Sequence, residues 1–264
     1  MSKTIALIGC GKMGEALLRG WIAANIKSSY IVVEPSGLKK KPKSVRLLKK
    51  PDANIKQCDV VVLAVKPQVM DDVCNALKPF LAKNTLVLSI AAGRTIQSFE
   101  KTLGKTQPII RSMPNLPAAI GKSMTVAVAN NHVTAAQKKI ANTLLGCVGK
   151  VEWVKNEKLM DSVTAVSGSG PAYVFHLIET LAKAGEKAGF DKNTAMTLAR
   201  QTVIGSAALA ESTPDINAAT LRQNVTSPGG TTEAALKILM DGRMQDIFDA
   251  AIDAARKRGK ELNG

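Results

Sequence analysis

Three groups of residues have the types and spacing to do chemistry. Gly9-Cys10-Gly11-Lys12-Met13-Gly14 is a G-x-G-x-x-G run set between an apolar stretch, Thr4 to Ile8, and an amphipathic one that begins at Glu15. In a strand-to-helix turn each glycine has its own task. Gly9 permits the tight turn, Gly11 lets the backbone approach a pyrophosphate, and Gly14 allows helix and strand to pack closely. The pyrophosphate then meets a helix N-terminus, where free N–H groups and the helix dipole favour an anion. Ile8 to Gly14 therefore reads as the cradle of a dinucleotide, NADPH or NADH.

Glu34 closes the second apolar stretch about 20 residues beyond Gly14, where a carboxylate accepts a bond from the adenine ribose 2′-OH. Alone it favours NADH. Ser36 and Lys39 to Lys41 follow at once and could hold a 2′-phosphate, which keeps NADPH open; a solvated strand end is the plainer alternative. Two further strand ends, Ala64-Val65-Lys66-Pro67 and Ala91-Ala92-Gly93, point to the same crevice, because ligands of such folds lie at the carboxyl ends of strands. Their small residues leave room for the nicotinamide ribose, and Lys66 either reaches a phosphate or faces water.

The third group is two glycine-rich runs in an otherwise helical half, Ser167-Gly168-Ser169-Gly170-Pro171-Ala172 and Thr226-Ser227-Pro228-Gly229-Gly230-Thr231-Thr232. Each glycine costs a helix roughly 1 kcal/mol against alanine, so such runs need a reason. The second precedes Glu233-Ala234-Ala235-Leu236, which makes it a loop feeding a helix N-terminus, with hydroxyls beside free N–H groups. That suits a small carboxylate. Thr231 or Thr232 as a simple N-cap is the competing explanation.

Positioning these groups requires particular elements. Apolar strands are predicted at Thr4 to Ile8, Tyr30 to Val33, Val60 to Val65, Leu86 to Ile90 and Ile109 to Ile110, with helices at Glu15 to Ala24, Val69 to Leu81 and Ile96 to Leu103. A strand at Met124 to Ala129, a helix at Ala135 to Leu145 and a strand at Val151 to Val154 complete the pattern. Alternation of this kind predicts an α/β fold, a Rossmann-like, doubly wound, mostly parallel sheet over residues 1–156. From Lys158 only helical segments follow, near 158–188, 192–211, 217–223, 232–241 and 244–260. Residues 157–264 are thus expected to form an all-α C-terminal domain.

Composition excludes several classes. The longest apolar run, Val60 to Val65, cannot span a bilayer, and no signal-peptide core precedes Gly9, so a cytoplasmic protein with no membrane partner is expected. Cys10, Cys58, Cys74 and Cys147 form no C-x-x-C pair, and His132 and His176 add no metal-site spacing, so no metal is expected. Cys10 invites a redox role, but a small residue beside a ligand explains it as well. The net charge of +15 raises the prospect of nucleic acid. Aromatic residues make up only 3% of the chain, which argues against a base-stacking platform, and the densest basic stretch, Lys39 to Lys50, is broken by Pro42. A basic surface that draws in anionic small molecules is the reading adopted, with no nucleic-acid partner.

Taken in order, Gly9-x-Gly-x-Met13-Gly14, Ala64-Val-Lys-Pro67, Arg111-Ser-Met-Pro-Asn115, Ser167-Gly-Ser-Gly-Pro-Ala-Tyr173 and Val225-Thr-Ser-Pro-Gly-Gly-Thr-Thr232 resemble the pyrroline-5-carboxylate reductase family over nearly the whole chain. The resemblance implies hydride transfer from NAD(P)H to the C=N carbon of a cyclic imino acid, giving L-proline, the last step of proline synthesis. It implies that Gly229, Gly230 and Thr231 offer backbone N–H groups to the substrate carboxylate beside Ser227, and that Thr232 places its hydroxyl near the ring nitrogen as the catalytic residue. It also implies that Glu157 lines the substrate and Asn224 the cofactor, and that the C-terminal domain is a dimerisation domain of interlocked helices, with further assembly into decamers. The family carries a full helix and another strand before Val60, whereas Gly37 to Ile55 here is short, Lys-rich and interrupted by Pro42 and Pro51, so a reduced adenosine-side wall is expected. Dehydrogenases of the 3-hydroxyacid and 6-phosphogluconate type share the opening motif. They resemble one another in a lysine soon after a glycine-rich turn, but Ala172 to His176 has none, and the next is Lys183. A non-catalytic dinucleotide sensor is the alternative of a different class, resting on charge and on the lack of a strong general acid.

Overall fold

The computed structural model describes residues 3–262. The chain divides into two compact units, one running up to Ser169 and resuming at Ala255, the other Gly170–Ala254.

The first unit is built on an eight-stranded sheet of order β3-β2-β1-β4-β5-β6-β7-β8. It opens with β1 (Lys3–Ile8), α1 (Lys12–Ala23), β2 (Ser28–Val33), β3 (Val45–Leu48), β4 (Val60–Leu63) and α2 (Met70–Leu77). It continues with β5 (Leu86–Ser89), α3 (Ile96–Leu103), β6 (Ile109–Met113), β7 (Ser123–Ala129), α4 (Ala135–Gly146) and β8 (Gly149–Trp153). Strands pair in parallel throughout except for β6 with β7. Parallel strands are covered on both faces, so they read as unbroken apolar runs, and Val60, Val61, Val62 and Leu63 are all fully buried. Successive side chains alternate between two cores. Ile5, Leu7, Val60 and Val62 pack with Leu17 and Trp21 of α1 and Leu144 of α4, whereas Ala6, Ile8, Val61 and Leu63 pack with Met70 and Leu77 of α2 and Phe99 of α3. This is the doubly wound arrangement expected. The Trp21 indole N–H donates to the Leu144 carbonyl at 2.9 Å, satisfying its one polar group where it locks α1 to α4.

Two segments differ from expectation. Residues 45–48 form a true strand, β3, paired in parallel with β2 from Tyr30↔Val45 to Val33↔Leu48. Among the described residues no helix lies between β2 and β3; the crossover ends in a turn in which Val45 N–H donates to the Pro42 carbonyl at 3.1 Å. The second segment is the expected helix from residue 158 to 188, which is in pieces. A 3-10 turn at Glu157–Leu159 leads to α5 (Met160–Val163), a π-helical turn at Thr164–Gly168 and α6 (Gly170–Lys187). Ser169 N–H reaches the Thr164 carbonyl at 2.8 Å, the five-residue spacing of a π bond. The run Ser167 to Ala172 thus begins in the π-helical turn and ends in the first residues of α6.

The second unit holds α6, then α7 (Lys192–Ser212), α8 (Ala218–Asn224), α9 (Thr231–Leu239) and the start of α10 (Arg243–Leu262), whose residues from Ala255 group with the first unit. Its buried apolar residues, among those described, are Ala182, Ala195 and Ala199. Large apolar side chains such as Phe175, Leu198, Ile204, Ile238 and Ile247 are exposed. No helix among the described residues is long and apolar enough to cross a membrane.

Candidate active site

At the carboxyl edge of the first unit's sheet, the three glycines have different surroundings. Gly9 has φ +86°, and a Cβ there would lie 2.7 Å from the Val65 side chain and 2.9 Å from the Ala64 carbonyl. A Cβ on Gly14 would lie 2.6 Å from the Gly9 carbonyl and 3.3 Å from the Ala64 methyl. Around Gly11 nothing comes within 4 Å of where a Cβ would be, so the backbone is open to approach there. Gly11 is also the N-cap of α1, and no side chain caps the helix. Its first-turn N–H groups, which have no intrahelical partner, are left for an anion. Ala64 and Val65 are thus brought against the glycine turn, and Ala64 N–H donates to the Ile8 carbonyl at 2.8 Å.

Glu34 belongs to the same edge. Its Oε2 accepts from Cys10 N–H at 2.8 Å, while Oε1 accepts from the Ser36 hydroxyl at 2.6 Å and Ser36 N–H at 3.2 Å. Burial alone would raise the Glu34 pKa, but the bonds from the Ser36 hydroxyl and from the Cys10 and Ser36 amides outweigh it and hold the carboxyl below its ordinary value. Cys10 behaves oppositely. Burial, with Glu15 and Glu34 adding to it, pushes its thiol up to about 11, which removes the thiolate a redox role needs at neutral pH. Lys12 and Lys66 are exposed at this edge, and Met13 and Pro67 are half-buried. Ala91 is buried just after β5, and Gly93, at φ +67°, lies 3.3 Å from the Leu262 carbonyl measured from where its Cβ would be.

Glu157 is engaged within the first unit. Its Oε1 accepts from the Ile96 N–H that opens α3, at 2.8 Å, and from the Arg111 guanidinium at 3.0 Å. Arg111 is 3% exposed in the middle of β6 and also faces Asp161 at 3.8 Å. Asn115 ties two of the sequence motifs together. Its amide donates to the Ser167 carbonyl at 3.1 Å and its carbonyl oxygen accepts from Met124 N–H at 3.0 Å. Arg111 and Asn115 both stand in the Arg111 to Asn115 motif, where the sequence alone gives them no task. The available signal was a charged side chain directly after Ile109 and Ile110 in a buried strand, which must find carboxylate partners.

In the second unit, Asn224 ends α8 and the run from Val225 turns the chain into α9. Gly229 has φ +69°, and Gly230 N–H donates to the Ser227 carbonyl at 3.0 Å. The N-cap of α9 is Gly230, and no side chain caps the helix, so neither Thr231 nor Thr232 is the cap. Both threonines stand in the first turn. The Gly229 N–H is taken by the Glu233 carboxylate at 2.5 Å, a contact the sequence did not reveal, and Glu233 also faces Lys237 at 3.5 Å. An incoming carboxylate that is to use Gly229 must displace Glu233, whereas the N–H groups of Thr231 and Thr232 belong to the orphan donors of a helix start. His176, on α6, is exposed beside Glu179. Among the described residues no group of three or more His, Cys, Asp or Glu side chains is placed to hold a metal ion.

Both halves of the chain match known protein families. Residues 157–262 match the family described as pyrroline-5-carboxylate reductase dimerisation, and residues 4–93 match that described as NADP oxidoreductase coenzyme F420-dependent. A pyrroline-5-carboxylate reductase of Pseudomonas aeruginosa is 40% identical over 98% of this chain and 96% of its own length. The solved structure of a pyrroline-5-carboxylate reductase from Coxiella burnetii superposes with a TM-score of 0.93 at 40% identity, covering 100% of both chains. The Plasmodium falciparum pyrroline carboxylate reductase, solved with NADP bound, gives 0.83 at 31% identity over 99% of this chain and 98% of its own. With an open glycine cradle at one end of the sequence, a threonine-bearing helix entrance at the other, and likeness running the full length between them, the chain belongs to the pyrroline-5-carboxylate reductase family.

Proposed function

We propose that this protein reduces the cyclic imine of 1-pyrroline-5-carboxylate to L-proline at the expense of NADPH or NADH. The observation that carries the reading is the full-length match to a relative of that name, at 40% identity over 98% of the chain. A reduced nicotinamide, when bound, supplies the hydride that goes to the C=N carbon, and the nitrogen holds a proton in the resulting ring amine. The protonated imine is already electrophilic, so the protein's task is chiefly to place it and hold its carboxylate.

Residues Ile8 to Gly14 would take the pyrophosphate, Glu34 and Ser36 the adenosine side, and Ala64 to Pro67 with Ala91 to Gly93 the nicotinamide ribose; Asn224 is assigned to the cofactor by family likeness. The entrance of α9, with Ser227, Gly229, Gly230, Thr231 and Thr232, would receive the carboxylate, and the Thr232 hydroxyl would orient or protonate the ring nitrogen. Glu157 is assigned to the substrate by family likeness, and its contacts with Arg111 and α3 would hold it in place where residues 1–156 give way to residues 157–264, the domain boundary we propose. The scarcity of buried apolar residues in the second unit supports a homodimer through the C-terminal helices, with decamers as further assembly. Four free cysteines are in keeping with a cytoplasmic location.

The test is NAD(P)H absorbance at 340 nm with 1-pyrroline-5-carboxylate, a 2-oxo acid and a 3-hydroxy acid supplied in turn. Oxidation with the imine alone is expected, and oxidation with either of the others alone overturns the reading.

A further inference from the structure

We infer that this chain discriminates in favour of NADH, and that Glu34 sets the preference. The inference rests on the dinucleotide reading above. It is reached because the fold separates two features that sit side by side in the sequence, an acidic strand end and a run of lysines.

Glu34 is fixed at the carboxyl edge. One carboxylate oxygen is bonded to Cys10 N–H inside the glycine turn and the other to the Ser36 hydroxyl and amide, so the group can neither swing away nor readily take up a proton. A ribose diol laid beside that turn presents hydroxyl donors to a carboxylate with acceptor capacity to spare. A 2′-phosphate presents only oxygens and negative charge to the same carboxylate, and like charges in close contact are strongly disfavoured.

The cations that follow in sequence are carried elsewhere. After Glu34 the chain turns, with Gly37 N–H bonded to the Glu34 carbonyl at 3.0 Å, and Leu38 packs into the core on the α1 face. Because β3 runs parallel to β2 with Tyr30 opposite Val45, residues just before Val45 must lie at the amino edge. Lys41, Lys43 and Arg46 there line a cleft of about 540 Å³ with Thr4, Ser29 and Tyr30. Four residues of strand separate Tyr30 from Glu34, roughly 13 Å at the usual rise. Arg46 is further committed to the Asn54 side chain at 2.8 Å. Ser36, the residue best placed to receive a phosphate, donates its hydroxyl to Glu34 instead. The lysines at the carboxyl edge are Lys12 and Lys66, beside the glycine turn, and Lys49 and Lys50, which follow Leu48; all four are exposed and have long, solvent-screened side chains. Lys39 and Lys40 are exposed on the descent.

The experiment is direct binding to the whole assembled protein, without imino acid, followed by nicotinamide fluorescence. NADH is expected to bind at least about tenfold more tightly than NADPH. Glu34→Gln should bring the two within about threefold, mainly by tightening NADPH, whereas Lys49→Ala with Lys50→Ala should leave the ratio unchanged. Circular dichroism confirms that each variant is folded. Should Glu34→Gln not fold, competition on the unaltered chain decides: 5′-AMP must displace NADH better than adenosine 2′,5′-bisphosphate. Equal or tighter NADPH binding by the native chain, an unchanged ratio in Glu34→Gln, or stronger competition by the bisphosphate overturns the inference. If those results accompany intact imine-dependent oxidation, the inference alone fails; if neither dinucleotide binds, the functional reading fails with it.

Discussion

Gly11 and Gly14 lie three residues apart in one turn, yet alanine at the two positions should act with opposite signs. At Gly14 a methyl group would sit 2.6 Å from the Gly9 carbonyl oxygen, a backbone atom that cannot move without shifting the turn. Overpacking of this kind costs about 1–3 kcal/mol, which in a chain of this size lowers Tm by roughly 2–12 °C. At Gly11 nothing lies within 4 Å, and its φ of −70° is one alanine adopts freely. Gly11→Ala should therefore leave Tm unchanged or raise it slightly, since losing unfolded-state freedom is worth about 0.4–1 kcal/mol. Its methyl group nonetheless occupies the space the pyrophosphate needs, so NAD(P)H affinity should fall at least about tenfold. Differential scanning calorimetry and fluorescence titration on both variants give four numbers. A Gly11→Ala protein that melts early, or that binds the dinucleotide as well as the native chain, would refute the assignment of Gly11 to ligand approach.

Thr232→Ala should lower kcat/KM by roughly tenfold to a thousandfold with the fold intact, and Thr232→Ser should recover most of it; unchanged steady-state kinetics would remove the hydroxyl from the reaction. Arg111→Ala strands Glu157 and Asp161 without their guanidinium and should destabilise the protein by about 3–5 kcal/mol in denaturant titration, against which an unaltered midpoint would count decisively. Cys10, whose thiol is raised to about 11, should react slowly with iodoacetamide at pH 7 and progressively faster as pH climbs toward that value; rapid labelling at neutral pH contradicts the environment described. Glu233→Gln keeps the hydrogen-bonding shape but loses the charge resting on Gly229, so it should lower KM for the imino acid more than it changes kcat, and an increase in KM would show that Glu233 aids binding instead of competing with it.

Much of the first unit could be read locally because the signals were local. α3 begins and ends where the sequence places it, with the Thr95 side chain accepting from Ser98 N–H at its start and Gly104 at its end. Val60 to Leu63 needed only an apolar run. β3 was missed because Val45-Arg46-Leu47-Leu48 is four residues long amid lysines, and it is a strand only by virtue of the edge that β2 offers. The π turn at 164–168 left no trace in the periodicity, and the close approach of Met113 to Gly168, 2.6 Å from where a Cβ would be, joins residues far apart in sequence. In the site, residue types were legible and partners were not. Glu34 was placed correctly at its strand end, but its bonds to Cys10 and Ser36 join positions 24 and 2 residues away, and only the folded turn brings the first of these within reach. Likewise the cap of α9 fell to Gly230, leaving the threonines inside the helix, a distinction of one residue that composition cannot make.

The three small alanines that alone are buried in Gly170–Ala254 have a consequence for how the protein tolerates dilution and change. A bundle whose interior is supplied by a second copy has no conformational stability of its own to fall back on, so on the proposed pairing its unfolding becomes bimolecular, and each tenfold drop in concentration removes about 1.4 kcal/mol. Symmetry then doubles the stakes. One altered side chain on such a face meets the assembly in two places, and a mild defect in a single helix is felt twice over.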